Sequence, residues 1–96
     1  MTNVISEAIL ALNEKMGENG FDGSAKFIIE NEGAIIIDEN GAHAGDDDTD
    51  VTLTASSEIF KAILDGEQNP TAAFMTGKLT VDGDMSLAMK LSGVLS

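Results

Sequence analysis

The 96-residue sequence contains no cysteine, no tryptophan and no tyrosine, and it has few basic residues. Without cysteine the chain has no disulfide, no zinc–thiolate site and no thiol catalysis. Five Lys and Arg against 17 Asp and Glu give a formal net charge of −12. A charge of this size repels nucleic acid phosphates and anionic lipid headgroups, so neither a nucleic acid partner nor stable docking on anionic membranes is expected.

Long hydrophobic runs are also missing. The apolar stretch near the start is interrupted by Glu7, Asn13, Glu14 and Lys15, so we predict neither a signal peptide nor a membrane span and expect a cytoplasmic protein. The hydrophobic fraction of 43% is typical of a globular chain, and 96 residues suffice for one modest core. We therefore predict a single domain over residues 1–96.

The first half of the chain predicts a helix followed by strands. Apolar residues recur at helical spacing over residues 2–16, with Thr2 or Asn3 as N-cap and glycines after Met16. Residues 24–30 and 34–38 are β-branched runs separated by Asn31-Glu32-Gly33, which predicts a hairpin. A third strand is expected at residues 42–44, and apolar residues alternate with polar ones over residues 50–56, which indicates a strand with one buried face.

The second half predicts three helices and one strand. Ser56 or Ser57 caps a helix that ends near Gly66, and Asn69 begins a short helix that ends at Gly77. A strand is predicted at residues 78–82, and Asp84 caps a last helix over residues 85–95. The order predicts an α+β fold, with one sheet of roughly five, mainly antiparallel strands and with helices packed on it.

The last helix has more apolar surface than one packing face needs. On a helical wheel its apolar residues span well over half the circumference and leave a narrow polar wedge at Ser86, Lys90 and Gly93. One interpretation is a helix packed deep between the sheet and its neighbours. The other is that the excess face, rich in adaptable methionine side chains, lines a cavity or a groove for a partner.

The stretch NPTAAFMTGKLTVDGDMSLAMKL, residues 69–91, resembles the sterol carrier protein 2 (SCP-2) family in its Asn-Pro start, Ala-Phe pair, Gly-Lys-Leu, Gly-Asp turn and Ala-Met-Lys-Leu helix. The weaker upstream pattern also fits, so the resemblance covers nearly the whole chain. It is most similar to the short stand-alone forms of bacteria. The resemblance implies a sheet of about five strands covered by helices, with an apolar tunnel for fatty acids, acyl-CoA, sterols or other lipids, and no enzymatic activity.

The resemblance also implies the positions that line the tunnel. The expected lipid-contacting residues are Phe60, Ile63, Leu64, Phe74, Met75, Thr76, Leu79, Val81, Met85, Ala88 and Met89. Thr76 stands where relatives often carry a glutamine or similar polar residue near the ligand, and it is expected to contact the polar end. Because the sequence ends in Val94-Leu95-Ser96, which is not a peroxisomal address, we do not expect peroxisomal import. We expect an acyl or isoprenoid cargo rather than a sterol.

Other functional signals are weak. The acidic residues 38–50 do not place glycine and glutamate where a calcium loop needs them, since His43 and Thr49 occupy those positions for a loop that begins at Asp38. His43, the single histidine, has no evident catalytic partner, and TGKLT lacks the residues of a phosphate loop. We predict a lipid-binding module with no cofactor and no metal. The alternative is an accessory subunit that uses the last helix to bind a protein partner, for example a lipid-modifying enzyme.

Overall fold

The computed structural model describes residues 4–17 and 20–95, and within these ranges the chain forms four helices and five strands. They are α1 Val4–Met16, β1 Ala25–Ile29, β2 Gly33–Asp38, β3 Gly41–Ala44, β4 Val51–Ala55, α2 Ser57–Leu64, α3 Pro70–Met75, β5 Leu79–Gly83 and α4 Met85–Leu95. The predicted elements are all present, and the α+β prediction is confirmed. The proposed N-caps of α1, Thr2 and Asn3, lie outside the described residues.

The strands form one sheet in the order β3-β2-β1-β4-β5. The β1–β2 hairpin is antiparallel as predicted, with Phe27 opposite Ile35. Its turn places Asn31 at a φ of 67°, a left-handed conformation that asparagine tolerates, and the Glu32 amide donates to the Ile29 carbonyl over 3.0 Å. The β2–β3 and β4–β5 pairings are also antiparallel.

The position of β4 differs from a simple antiparallel meander. β4 pairs with β1 in parallel, with Ala25 opposite Val51, so the sheet is mixed. The connecting residues 45–50 lie on the sheet face that carries Lys26 and Ile36. The Lys26 Nζ is 3.1 Å from a carboxylate oxygen of Asp46. A Cβ built on Gly45 would lie 3.0 Å from the Ile36 side chain. Alternating hydrophobicity predicts which face of a strand is buried but carries no information about which strand lies beside it.

The core lies between the sheet and the four helices on its opposite face. Buried residues of α1, α2, α3 and α4 pack with the inward side chains of β1, β2 and β4. Phe27 of β1 and Phe60 of α2 are fully buried, and their ring centroids are 4.4 Å apart. Burying one such ring contributes roughly 1.5–3 kcal/mol. None of the described helices is long and apolar enough to cross a membrane.

A side-chain amide joins α1 to the edge strand β3. Asn13 accepts a hydrogen bond from the Ala42 amide at its Oδ1 over 2.8 Å and donates from its Nδ2 to the Ala42 carbonyl over 3.1 Å. The amide thus occupies both backbone groups of Ala42, as a neighbouring strand does. Unpaired backbone groups on an edge strand invite pairing with other chains, so this contact also protects the edge.

Candidate functional site

The carboxyl-terminal segment forms a helix–strand–helix unit whose ends are fixed by local hydrogen bonds. The Asn69 Oδ1 accepts from the amides of Thr71 and Ala72 at the start of α3, and Pro70 occupies the first turn. The Asp84 Oδ1 accepts from the amides of Ser86 and Leu87 at the start of α4. Both caps were predicted, and each is typically worth about 1 kcal/mol. They fix where the two helices begin relative to β5.

A small apolar pocket lies between α3, α4 and the strands β4 and β5. Its volume is about 30 Å³, which is the space of roughly one water molecule. The lining residues are Leu53, Pro70, Thr71, Phe74, Leu79, Val81, Met85, Ala88, Met89, Ser92 and Leu95. Nine of these eleven side chains are apolar, and none is charged. The pocket wall is therefore almost entirely apolar.

The two polar side chains of the lining hydrogen-bond to each other. The Thr71 Oγ1 and the Ser92 Oγ are 3.1 Å apart, and both residues are partly buried. Thr71 lies on α3 and Ser92 on α4, so the bond joins the two helices across the pocket. A hydroxyl pair uses one donor and one acceptor on itself, which leaves one proton and further lone pairs for another partner.

Six of the predicted site residues lie together in this lining: Phe74, Leu79, Val81, Met85, Ala88 and Met89. Their contact with a lipid stays a prediction, but their proximity is a property of the fold. Three of them are substantially exposed to solvent, since Phe74 is 40%, Met85 45% and Met89 60% exposed. Met85 and Met89 have unbranched side chains with three rotatable bonds, which adapt readily to differing neighbours.

The other five predicted site residues lie elsewhere. Phe60 and Ile63 are fully buried in the core, and Phe60 and Leu64 border a groove of about 350 Å³ between α1 and α2. Met75 is 78% exposed and lies outside the pocket lining. The Thr76 hydroxyl donates within its own helix to the Ala72 carbonyl over 2.9 Å, and it is not part of the lining either. The structure does not bring these side chains to the pocket.

Sequence reasoning missed the two hydroxyl residues of the pocket. The signal that could have found Ser92 is its position on the helical wheel, where at 100° per residue it falls between Ala88 and Met85 inside the apolar arc. A polar residue within an apolar arc needs a hydrogen-bond partner when it is buried. Thr71, in the first turn of α3, gave no comparable signal.

The remaining signals of the sequence do not form a second site. His43 lies in the edge strand β3, with its Nε2 4.0 Å from a carboxylate oxygen of Asp38. Among the residues that the structure describes, no group of three or more His, Asp or Glu side chains is arranged to hold a metal ion. An open groove of about 750 Å³ at the β1–β2 turn is bordered by Glu30, Glu32 and Asp46, so its rim is acidic.

The chain belongs to the SCP-2 sterol transfer family, whose model matches residues 12–96. The resemblance in residues 69–91 is therefore confirmed by a match over most of the chain. Over 47 residues, or 49% of this chain, the sequence is 47% identical to hydroxysteroid dehydrogenase-like protein 2 of Danio rerio. The match covers only 11% of that protein, so the chain spans a small part of the length of this curated relative.

Two solved structures show the same fold. The sterol carrier protein 2 of Aedes aegypti, solved in complex with the C16 fatty acid palmitate, has a TM-score of 0.79 and is 20% identical; the match covers 100% of this chain and 97% of that one. The palmitated SCP2L2 of Aedes aegypti has a TM-score of 0.70 and is 27% identical, with 98% and 93% of the two chains covered. These likenesses confirm the predicted SCP-2 fold.

Proposed function

We propose that this domain is a non-enzymatic lipid carrier that holds one long-chain acyl, sterol-like or isoprenoid ligand in the pocket between α3, β5 and α4. The observation that carries the proposal is a lining of nine apolar side chains and two hydroxyls in a chain of the SCP-2 sterol transfer family. The palmitate complex of one chain with this fold and the palmitated form of another support it. With a net charge of −12, the protein carries its ligand through the cytoplasm rather than docking stably on anionic membranes.

The small size of the pocket supports a mechanism in which ligand entry enlarges it. Ligand pockets usually measure about 300–1,000 Å³, roughly ten times the 30 Å³ found here or more. An empty pocket of about 300 Å³ would cost about 7 kcal/mol at roughly 24 cal/mol per Å³, comparable to the whole stability of a small domain. A collapsed pocket avoids that cost. The half-exposed side chains of Phe74, Met85 and Met89 are the part of the wall that can move outward.

The pocket chemistry supports binding rather than catalysis. Its two hydroxyls bond to each other, and no general base lies in the lining. The dehydrogenase in the name of the Danio rerio relative belongs to a much longer protein, of which this chain matches 11%. We propose no dehydrogenase activity for this domain.

A second candidate function is that of an accessory subunit that binds a protein partner through α3 and α4. The observation that favours it is the exposure of Met75 and Met89, which are 78% and 60% exposed on neighbouring helices. Exposed apolar patches often mark interaction surfaces. Sedimentation of the purified protein over a range of concentrations separates the two functions: a monomer that carries lipid supports the carrier, and a lipid-free protein that self-associates supports the subunit.

The direct test is native mass spectrometry of the freshly purified protein, followed by denaturing release and identification of any small molecule. We expect a stoichiometric lipid adduct. The Met89→Glu variant should lose it, because ligand would bury the new carboxylate without a partner. Met75→Glu is the matched control, since it adds the same charge on α3 outside the pocket. A wild-type protein that binds neither copurified nor added hexadecanol, palmitate or isoprenoid would refute the carrier function.

A further inference from the structure

The polar groups of the pocket restrict which end group a ligand can present. Apart from the Thr71 and Ser92 hydroxyls, the lining is hydrocarbon and thioether. Because the two hydroxyls are 3.1 Å apart on facing helices, a ligand oxygen placed beside them can accept from one and donate to the other. An alcohol satisfies both roles, and a carbonyl oxygen satisfies the acceptor role. The pair is therefore a site for an uncharged oxygen.

Among the residues that the structure describes, none that lines the pocket carries a positive charge to compensate an ionised end group. None of the five lysines of the chain is among the lining residues. The Lys90 Nζ is 3.6 Å from a carboxylate oxygen of Asp22, and Lys78 is exposed. Within residues 69–95 these two lysines are balanced by Asp82 and Asp84, so the segment is neutral while the whole chain carries −12. A carboxylate or phosphate that enters the pocket thus loses its hydration without gaining a charged partner.

We propose that the pocket selects lipids whose polar end is uncharged, a long-chain or isoprenoid alcohol or a similar hydroxyl-bearing lipid, over ionised fatty acids and acyl-CoA. In this proposal Thr71 and Ser92 are the specificity-determining residues, and the bond between them opens to admit the ligand oxygen. The inference rests on the proposed carrier function. An ionised fatty acid still binds through its chain, but its carboxylate remains in water at the rim and does not use the two hydroxyls.

The test is competition for a neutral fluorescent probe, Nile red, bound to the delipidated 96-residue protein at pH 7.5. The competitors are hexadecanol, palmitate, palmitoyl-CoA and hexadecane. We expect hexadecanol to displace the probe at concentrations at least tenfold below those of palmitate and palmitoyl-CoA. In the Thr71→Val/Ser92→Ala variant the affinity for hexadecanol should fall by about three- to tenfold, the usual contribution of a neutral hydrogen bond. The affinities for palmitate and hexadecane should not change.

The possible results separate this inference from the carrier function. Palmitate that competes as well as hexadecanol at pH 7.5, or a double variant that hexadecanol binds as tightly as it binds the wild-type protein, overturns the selectivity while leaving the carrier function intact. Failure of all four competitors and of the probe to bind the wild-type protein overturns both. The single Ser92→Ala variant removes only the Ser92 hydroxyl, and it serves as the second measurement if the double variant does not fold.

Discussion

Ala88→Leu should fill the pocket with a larger side chain. We expect this substitution to abolish lipid binding without unfolding the protein. Ala88 lies on α4, is only 5% exposed and lines the pocket. Leucine adds three carbon atoms where there is space for about one water molecule. Burying them gains roughly 2.4 kcal/mol at about 0.8 kcal/mol per carbon, and overpacking costs about 1–3 kcal/mol. The two terms nearly cancel, so the ligand-free variant should stay folded.

The assay is thermal unfolding with and without lipid, using whichever of hexadecanol and palmitate binds the wild-type protein more tightly. Ligand at about 100 times its Kd stabilises a protein by about 2.7 kcal/mol. Since about 1 kcal/mol shifts the Tm of a domain this size by about 4–8 °C, the wild-type protein should gain about 10–20 °C. If Ala88→Leu weakens binding a hundredfold, the same lipid concentration gives about 0.4 kcal/mol, or about 2–3 °C.

The matched control is Ala72→Leu, which adds the same atoms to the exposed side of α3 and should keep the full lipid-dependent shift. The reasoning would be refuted by an Ala88→Leu protein that gains as many degrees from lipid as the wild type does. Such a result would place the ligand outside the pocket between α3, β5 and α4.

Two further predictions concern stability, measured by urea unfolding. Asn13→Ala should lower the free energy of unfolding by about 2–4 kcal/mol, because it removes both hydrogen-bond partners of the partly buried Ala42 backbone. The control Glu14→Ala, at the neighbouring exposed residue, should leave the urea midpoint unchanged. Equal midpoints for the two variants would contradict the role given to the Asn13 amide. Gly83→Ala should destabilise the protein strongly, since the φ of Gly83 is 111° and a Cβ there would lie 2.5 Å from the backbone oxygen of Asp50. The control Gly93→Ala has open space around the new methyl group in α4 and should stabilise the protein by about 0.5–1 kcal/mol. A Gly83→Ala protein as stable as the wild type would show that the strand end can relax.

Local patterns predicted the elements because their determinants lie within a few residues of one another. Asn69 and Asp84 cap their helices through amides two and three residues away, and the Asn31 turn closes a hairpin between adjacent runs. The parallel pairing of β4 with β1 depends instead on residues 26 positions apart, such as Ala25 and Val51. No periodicity within either strand encodes that choice.

The predicted site residues show the same difference between local and long-range determinants. Leu79 and Ala88 were found because they belong to a continuous motif that folds as one helix–strand–helix unit. Phe60 and Ile63 have the same hydrophobic character, but α2 packs them into the core, so composition alone could not separate a core residue from a pocket residue. Thr76 is polar and close in sequence to the pocket, yet its hydroxyl bonds to its own helix. Side-chain hydrogen bonds of this kind depend on rotamers that a sequence does not display.

The placement of β4 in the sheet also sets the order in which the chain can fold. The β1–β2–β3 meander is local and can form early, but the β1 edge that β4 occupies stays open until residues 51–55 have been brought back across two strands. Bringing β4 back to β1 orders the chain between them before the β1–β4 contacts form, so this step has an entropic barrier. A meander formed before residues 51–55 are available would have β1 as an unpaired edge strand. The transition state for folding is expected to contain the β1–β4 pairing, the step at which the two halves of the chain become one cooperative unit.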